Sequence, residues 1–147
     1  MSGRATDALV RRAQSADRDQ ILTLAGDLAT SYEVQASVFG LVFETLLAAE
    51  TARVLVAEKD AQIVGYLLAQ LHHTFHANGP VVWIEEVLVA ASHRGSGVGR
   101  AMMSAAELWA HEEGCAYVAL ATRRASGFYE RLGYEPSASY YKRPISR

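Results

Sequence analysis

The sequence predicts one α/β (α+β) domain over residues 1–147, in which helices flank a mixed, mostly antiparallel sheet. Its 147 residues, half of them hydrophobic and a fifth charged, are typical of a globular domain with a substantial core. Apolar positions recur with strand and helix periods in the order β-α-α-β-β-β-α-β-α-β. Because a helix crosses between the strands at 81–89 and 117–122, only that pair can be parallel.

The N-terminal half predicts a strand, two helical segments and a hairpin. Ser15 or Asp17 is the expected N-cap of the first helix, whose apolar residues have helical spacing. The second helical segment is broken or begins near Gly40, and "KDAQ" forms the turn of the hairpin. These elements are a strand at 8–13, helical segments at 15–32 and 38–50, and a hairpin at 52–73.

The C-terminal half predicts two strand–helix units and a closing strand. "ANGP" interrupts the chain before an apolar strand, and Gly114 and Gly133 are placed to end the two helices that follow. The closing strand is "SASYYKRPI". These elements are strands at 81–89, 117–122 and 137–145, a helix ending near Gly114, and a short helix at 126–133.

Composition and charge exclude several function classes. The net charge of −2 argues against a general nucleic-acid binder, and no apolar run reaches the ~20 residues of a membrane span. The N-terminus "MSGRATDALVRR" lacks the apolar region of a signal peptide, so we expect a soluble, cytoplasmic protein. Residues 1–89 hold 6 Lys/Arg against 11 Asp/Glu, and residues 90–147 hold 8 against 5. The first half therefore favours a cationic ligand and the second a polyanionic one.

Metal and thiol chemistry have little support. In "HHTFH" the alternating residues His72 and His76 could share a face, but the sequence nearby offers no third ligand, and we predict no metal site. This strand end could line a ligand cleft or could simply be exposed. The single cysteine, Cys115, excludes an internal disulfide and is expected to be a small buried hydrophobic residue.

The most informative segment is the glycine-rich stretch "SHRGSGVGRAM" (92–102), which lies between a strand and a helix. A Walker loop requires Lys and Ser/Thr after its last glycine, whereas Arg100 and Ala101 follow Gly99. A dinucleotide fingerprint requires G-x-G-x-x-G, and here the third glycine comes one residue early. Free amides at a helix N-terminus nevertheless bind anions, and glycines let phosphates approach the backbone.

The spacing Arg94-x-x-Gly97-x-Gly99 resembles the [QR]-x-x-G-x-[GA] loop of the GNAT superfamily of acetyl-CoA-dependent N-acetyltransferases. "IEEVLVAASHRGSGVGRAMM" is similar to that family's strand-loop-helix unit throughout, and "LATRRASGFYERLGY" resembles its second signature. With "YYKRPI", which is similar to the closing strand, the resemblance covers about residues 81–143. It implies a mixed sheet of six to seven strands flanked by about four helices, with a parallel, splayed pair at 81–89 and 117–122.

The resemblance also implies how acetyl-CoA, the expected co-substrate, is held. The backbone amides of the loop would bind its pyrophosphate, and the edge of the strand near Leu88 and Val89 would bind the pantetheine arm. One of those two amides would polarise the thioester carbonyl. Arg94, Arg100, Arg123 and Arg124 are candidates for the terminal phosphate. The loop residues concerned are Arg94, Gly95, Ser96, Gly97, Val98, Gly99 and Arg100.

Two carboxylates in "WIEEVLV" are candidate catalytic groups. The strand is apolar on both sides, and an unpaired ionised glutamate buried there would cost several kcal/mol. At least one of Glu85 and Glu86 should therefore face a cleft or an ion partner, and burial raises a carboxyl pKa toward the range of a general base. The resemblance implies Glu85 as the base, with Glu86 helping to bind the amine; a structural ion pair is the alternative for whichever is unused.

Tyr129 in "SGFYERLGY" is the candidate general acid. If Ser126 caps the short helix, Tyr129 lies in its first turn, near the positive end of the helix dipole. The resemblance implies that this tyrosine donates a proton or hydrogen bond to the departing sulfur, whereas Phe128 is expected in the core.

The sequence therefore predicts an N-acetyltransferase that moves an acetyl group directly to a primary amine of a small molecule or peptide. The alternatives are a non-catalytic acyl-CoA-binding sensor or interaction module, and a nucleotide-binding protein of another family. The acidic first half favours a cationic amine, and Tyr32 and Phe39 could line its pocket. The oligomeric state stays open, with a homodimer among the alternatives.

Overall fold

A computed structural model describes residues 5–28 and 32–147 and confirms the mixed fold. Among these residues five strands, instead of six to seven, form one sheet in chain order, with three antiparallel pairings and one parallel pairing between the last two strands. Four α-helices accompany them, as predicted. The strands are β1 (Leu9–Arg12), β2 (Ala52–Lys59), β3 (Gln62–Thr74), β4 (Gly79–Val89) and β5 (Val118–Leu120), and the helices are α1 (Arg18–Leu28), α2 (Ala36–Ala48), α3 (Val98–Glu112) and α4 (Ser126–Arg131).

The predicted closing strand at 137–145 is not formed. Residues 135–147 have no regular secondary structure and are exposed throughout. A strand requires a partner that satisfies its amides and carbonyls, and alternation in the sequence cannot supply one. Pro136 and Pro144 also remove two backbone donors. The prediction of this strand was therefore wrong.

The start of the first helix also differs from expectation. Neither Ser15 nor Asp17 is its N-cap: a 3₁₀ turn, Ser15–Asp17, precedes α1, and Gln14 caps that turn while the Asp17 carboxylate accepts the Gln14 amide at 2.8 Å. Asp17 is held there by Arg11, whose Nη1 and Nη2 donate to it at 2.8 and 2.9 Å. The predicted extension of this helix across residues 29–31 lies outside the described residues.

The second helix, α2, runs without a break through Gly40, contrary to the expected interruption there. It is strongly apolar, yet only Phe43 is fully buried. Several of its apolar side chains are therefore exposed, among them Val38, Leu41 and Val42. In the part of the chain that the structure describes, no helix is long and apolar enough to cross a membrane.

The sheet has a core on each face. Cross-strand partners share a face, so the pairing of the strands assigns each side chain to one layer. The α3 face buries residues such as Leu55, Leu67, Val82, Ile84, Met102 and Met103. The face of α1 and α2 buries residues such as Ile21, Leu24, Phe43, Val56, Tyr66 and Leu88.

A β-bulge in β4 interrupts this regular pairing. Leu68 of β3 lies opposite Glu86 and Ala69 lies opposite Ile84, which leaves Glu85 without a partner residue. Two residues of a bulged strand therefore oppose one on its neighbour. The bulge places Glu85 and Glu86 side by side along the edge of the strand.

The parallel pair is short, and its strands separate beyond it. β4 pairs with β5 only over Val82 to Ile84, with the Val82 amide donating to the Tyr117 carbonyl at 3.1 Å. β4 continues to Val89, whereas β5 ends at Leu120. A gap therefore opens along residues 85–89, directly before the glycine-rich loop.

Candidate active site

The gap exposes backbone hydrogen-bonding groups of β4. The Ala90 amide donates to the Val64 carbonyl of β3 at 2.8 Å. Because backbone groups of a strand point alternately to its two sides, the amide of Leu88 faces β3 and that of Val89 faces the gap. The Val89 carbonyl also points away from β3, since it accepts a hydrogen bond from Nε of Arg94 at 3.1 Å. Of the two amides considered from the sequence, Val89 is the one turned toward the gap.

The glycine-rich loop presents free amides beside this gap. Gly97 is the N-cap of α3 and has φ of 86°, a left-handed conformation that glycine adopts without steric cost. Within the described residues, the amides of Gly95, Ser96 and Gly97 donate to no protein acceptor. They add to the unpaired amides of the first helical turn, and the α3 dipole places positive potential at the same point. The loop can therefore bind an anion.

Some side chains around the loop make hydrogen bonds to the backbone, and others are exposed arginines with no such bond to a described residue. Arg94 is tied to Val89 as described, and the Ser96 hydroxyl donates to the His93 carbonyl, which stabilises the turn. Arg100, in the first turn of α3, is exposed. Arg123 and Arg124 are exposed in the turn between β5 and α4. These exposed guanidinium groups are available to a phosphate, and Arg94 would have to release the Val89 carbonyl first.

A close contact brings α4 next to the loop. A Cβ added at Gly99 would lie 3.1 Å from Cζ of Phe128, so only glycine lets the Phe128 ring approach α3 this closely. Phe128 in turn packs edge-to-face on Tyr129, with ring centroids 4.9 Å apart. The third glycine of the loop thus positions the helix that carries the candidate acid.

The two carboxylates of the bulge have different surroundings. The Tyr66 hydroxyl donates to Oε1 of Glu86 at 2.8 Å, which holds Glu86 on the α1 and α2 face. Glu85 is exposed and accepts no hydrogen bond from any described residue. Tyr66 itself is buried, and burial together with the Glu86 charge raises its pKa, so its hydroxyl keeps its proton. Glu86 is fixed in place, whereas Glu85 is free to accept a proton or a ligand.

Three influences act on the Glu85 carboxyl group. Partial burial and the adjacent Glu86 charge raise its pKa above the ordinary value, and His72 opposes them. His72 alternates with Tyr66 and Leu68 along β3 and therefore lies on the same face. A carboxyl group with a raised pKa is a better base for an ammonium group than an ordinary one.

Tyr129 lies in α4, whose N-cap is Ala125 and not Ser126 as expected. It is the fourth residue of this helix, and its ring also contacts that of Tyr134 edge-to-face at 6.0 Å. Burial raises its pKa, so the phenol carries its proton at neutral pH. Its hydroxyl has no hydrogen-bond partner among the described residues, which leaves the proton available for donation.

Sequence reasoning missed Tyr66, which holds Glu86. Its only sequence signal was that it lies in the strand preceding the two glutamates, and its role depends on the cross-strand register. The other candidates lie elsewhere: Phe39 stacks on Phe43 at 5.7 Å, and Tyr32 is exposed. His76 contacts the Tyr117 hydroxyl at 3.1 Å. The described residues contain no group of three or more His, Cys, Asp or Glu side chains that could hold a metal ion.

Comparison with known proteins connects this geometry to a family. A family model described as an acetyltransferase (GNAT) domain matches residues 50–136, which include β2 to α4 and every candidate site residue described above except Tyr32 and Phe39. The chain belongs to the GNAT acetyltransferase superfamily. It is a GNAT-family N-acetyltransferase, and membership implies acetyl-CoA as its co-substrate.

Individual relatives agree with the GNAT assignment. The aminoglycoside N(6')-acetyltransferase type 1 of Stenotrophomonas maltophilia is 34% identical over 116 residues, covering 65% of this chain and 75% of that protein. An acetyltransferase structure from Trypanosoma brucei matches 95% of this chain and 100% of its own, with a TM-score of 0.82 and 24% identity. Glucosamine-6-phosphate N-acetyltransferase from Arabidopsis thaliana matches 95% and 99% of the two chains, with a TM-score of 0.84 and 21% identity. These two structures share the fold of this GNAT chain.

Proposed function

We propose that residues 1–147 form one domain that transfers an acetyl group from acetyl-CoA directly to a primary amine of a cationic small molecule, with Glu85 as general base and Tyr129 as general acid. The observation that carries the proposal is the gap between β4 and β5. On one side it adjoins a loop of free amides, and along its β4 edge it carries a carboxylate and an unpaired backbone amide.

The donor side fits coenzyme A by its chemistry. The amides of Gly95, Ser96 and Gly97, with those of the first turn of α3, suit a pyrophosphate, because they are unpaired and lie at the positive end of a helix dipole. The open edge of β4 suits the amide groups of a pantetheine arm, which would add to the sheet as a peptide strand does. Bound acetyl-CoA supplies the thioester whose acetyl group is transferred.

The residues of the chain then perform three tasks. Glu85 removes a proton from the ammonium group of the acceptor, either directly or through a water molecule. The Val89 amide donates to the carbonyl oxygen as negative charge develops on it. Tyr129 donates its proton to the departing sulfur. The amine nitrogen forms the new bond to the acetyl carbon while the carbon–sulfur bond breaks. The nitrogen loses two protons in all, one from the ammonium group to Glu85 and one as the amide forms. One proton reaches the thiol by way of Tyr129, which is then reprotonated, and the other is released to solvent.

The acceptor side favours a cation. Glu85 and Glu86 lie side by side at the bulge, and the first 89 residues carry 11 acidic against 6 basic side chains. An ammonium group is attracted to such a site before any specific contact forms. The curated relative acts on aminoglycosides, which are polycationic amino sugars. We therefore propose an aminoglycoside-like polyamine as the acceptor class.

The function is tested by thiol release. The purified protein with acetyl-CoA is assayed against a panel of aminoglycosides, linear polyamines and lysine peptides, and acetylated products are identified by mass. We expect turnover with polycationic small molecules above that with peptides. A parallel thermal-shift series with acetyl-CoA, ATP and NAD should show stabilisation by acetyl-CoA. Absence of turnover with every amine, despite acetyl-CoA binding, would reject the proposed activity.

Replacing Tyr129 by phenylalanine should lower kcat by about 10²-fold, because the thiolate then leaves without a proton donor. The KM for acetyl-CoA should stay unchanged, since the ring is kept. The matched control is Tyr134→Phe, which removes a hydroxyl from the neighbouring ring that donates to Glu107 at 3.2 Å. Equal kcat values for the Tyr129 and Tyr134 variants would remove Tyr129 from the mechanism.

A further inference from the structure

The C-terminal tail reaches the face of the sheet that carries Glu85. α4 and Tyr134 pack on the α3 face, where the Tyr134 hydroxyl donates to Glu107. From there residues 135–140 run along a groove of about 990 Å³ whose other wall is β5. The groove also includes Trp83 of β4, and Tyr140 stacks on Trp83 with ring centroids 6.4 Å apart and planes 23° apart.

Trp83 lies on the opposite face from α3. It pairs with Gln70, which alternates with Leu68 and Tyr66 along β3, and the last two belong to the core under α1 and α2. The neighbouring residues Val82 and Ile84 belong to the α3 core. The tail therefore passes around the β5 edge from one layer to the other, and Tyr140 ends on the face of the two bulge carboxylates.

The aromatic pair is open to solvent. Trp83 is partly buried, whereas Tyr140 is 63% exposed, so its ring presents contact area that the protein does not fill. Trp83 precedes Glu85 by two residues in the same strand. The pair is thus an apolar surface adjacent to a doubly acidic one. A saturated ring that carries ammonium groups matches both surfaces. Its C–H face can pack on the aromatic rings of Trp83 and Tyr140 by dispersion, and its ammonium groups can interact with the carboxylates or with the faces of the aromatic rings.

We propose that Tyr140, with Trp83, forms a platform that binds the ring of the amine acceptor beside Glu85, and that Tyr140 determines preference for ring-bearing over linear polyamines. This inference rests on the proposed function for its substrate class. Tyr140 is a specificity residue and takes no part in the proton transfers.

The chain offers a matched control. Tyr141 is the next residue of the tail, is 88% exposed and makes no ring contact in the described structure. Tyr140→Ala, Tyr140→Phe and Tyr141→Ala are compared with the unmodified protein. The two acceptors are kanamycin, which carries four amines on sugar-like rings, and spermine, which carries four amines on a linear chain. Dissociation constants are measured by calorimetry with coenzyme A present, so that the result does not depend on turnover.

Tyr140→Ala should weaken kanamycin binding about tenfold, while spermine binding changes little and the KM for acetyl-CoA is unaltered. Tyr140→Phe should bind kanamycin like the unmodified protein, because the ring is retained, and so should Tyr141→Ala. Where kanamycin is acetylated, its KM should follow the dissociation constant with kcat unchanged. Equal losses for kanamycin and spermine, equal losses in the Tyr140→Ala and Tyr141→Ala variants, or no loss at all would overturn the inference. Kanamycin binding that responds to Tyr140→Ala without turnover of any amine would uphold the platform and reject the proposed activity.

Discussion

Replacing Glu85 by glutamine is expected to lower kcat/KM for the acceptor amine by about 10²- to 10⁴-fold, the usual contribution of a positioned general base. Glutamine keeps the size of the side chain and its position at the bulge but cannot take up a proton. The KM for acetyl-CoA should not change, since the substitution alters no backbone amide of the loop or of the β4 edge. Initial rates of thiol release across acceptor concentrations give the result.

Glu86→Gln is the matched control at the neighbouring position. Because Glu86 is held by the Tyr66 hydroxyl, its loss should weaken acceptor binding more than it lowers kcat. A large fall in kcat for Glu86→Gln, with Glu85→Gln active, would exchange the two assigned roles.

The pH profile of kcat/KM separates the two glutamates further. The proposed mechanism requires the ionised form of Glu85, so activity should fall as the pH drops through the pKa of this group. Partial burial and the Glu86 charge raise that pKa, and the fall should therefore occur at higher pH than for an ordinary glutamate. Glu86→Gln removes the like charge and should move the acid limb to lower pH. A limb that does not move would show that the two carboxylates are not coupled.

Replacing Asp17 by asparagine is expected to lower the free energy of unfolding by about 2–4 kcal/mol, because it leaves the Arg11 guanidinium without its main partner in a largely buried site. The Asp17 side chain is 8% exposed and that of Arg11 25%. Arg11 keeps Glu58, at 3.0 Å from Nε, which limits the loss. Urea unfolding at neutral pH measures the difference. The control is Asp19→Asn, whose side chain is 86% exposed and meets only Arg18. Equal midpoints for the two variants would contradict the expected role of Asp17.

The Arg11–Asp17 pair should also make the free energy of unfolding depend on pH. Hydrogen bonds from Arg11 hold the pKa of Asp17 below the ordinary value of 3.8, although burial acts to raise it. The stabilisation is therefore fully present above the unfolded-state pKa and is lost as the pH falls through the lower folded-state pKa. The stability difference between the unmodified protein and Asp17→Asn should be constant near neutrality and shrink below about pH 4.

Elements whose pattern is local were predicted correctly from the sequence. The hairpin of β2 and β3, the apolar strand β4 and the helix α3 each carry their own periodicity. The glycine-rich loop could be recognised because anion binding by such a loop depends on the backbone, so that the glycine spacing is itself the signal. The adjacency of Glu85 and Glu86 is also visible in the sequence, but nothing in their order indicates which of them accepts the hydrogen bond from Tyr66.

Features that depend on distant partners were not predictable in the same way. The tail at 137–145 alternates like a strand but pairs with nothing, since strand formation depends on an available edge and not on the segment alone. Ser15 and Asp17 are residue types that often cap helices, but here Asp17 accepts hydrogen bonds from Arg11 and Gln14 is the N-cap of the 3₁₀ turn. The stacking of Tyr140 on Trp83 joins residues 57 positions apart and depends on the path of the tail around β5.

The unpaired residue in β4 adds a side chain to that strand without changing the partners of the residues that follow it. Before Glu85, even-numbered residues such as Val82 direct their amides to β5, and after it odd-numbered residues such as Val89 direct theirs to the same side. Deleting Glu85 would restore regular pairing with Glu86 still opposite Leu68, so the Val89 amide would still face the gap. Only the pair of adjacent carboxylates would be lost. In the proposed mechanism, a single-codon deletion there would therefore alter the acceptor side and leave the donor edge of β4 in place.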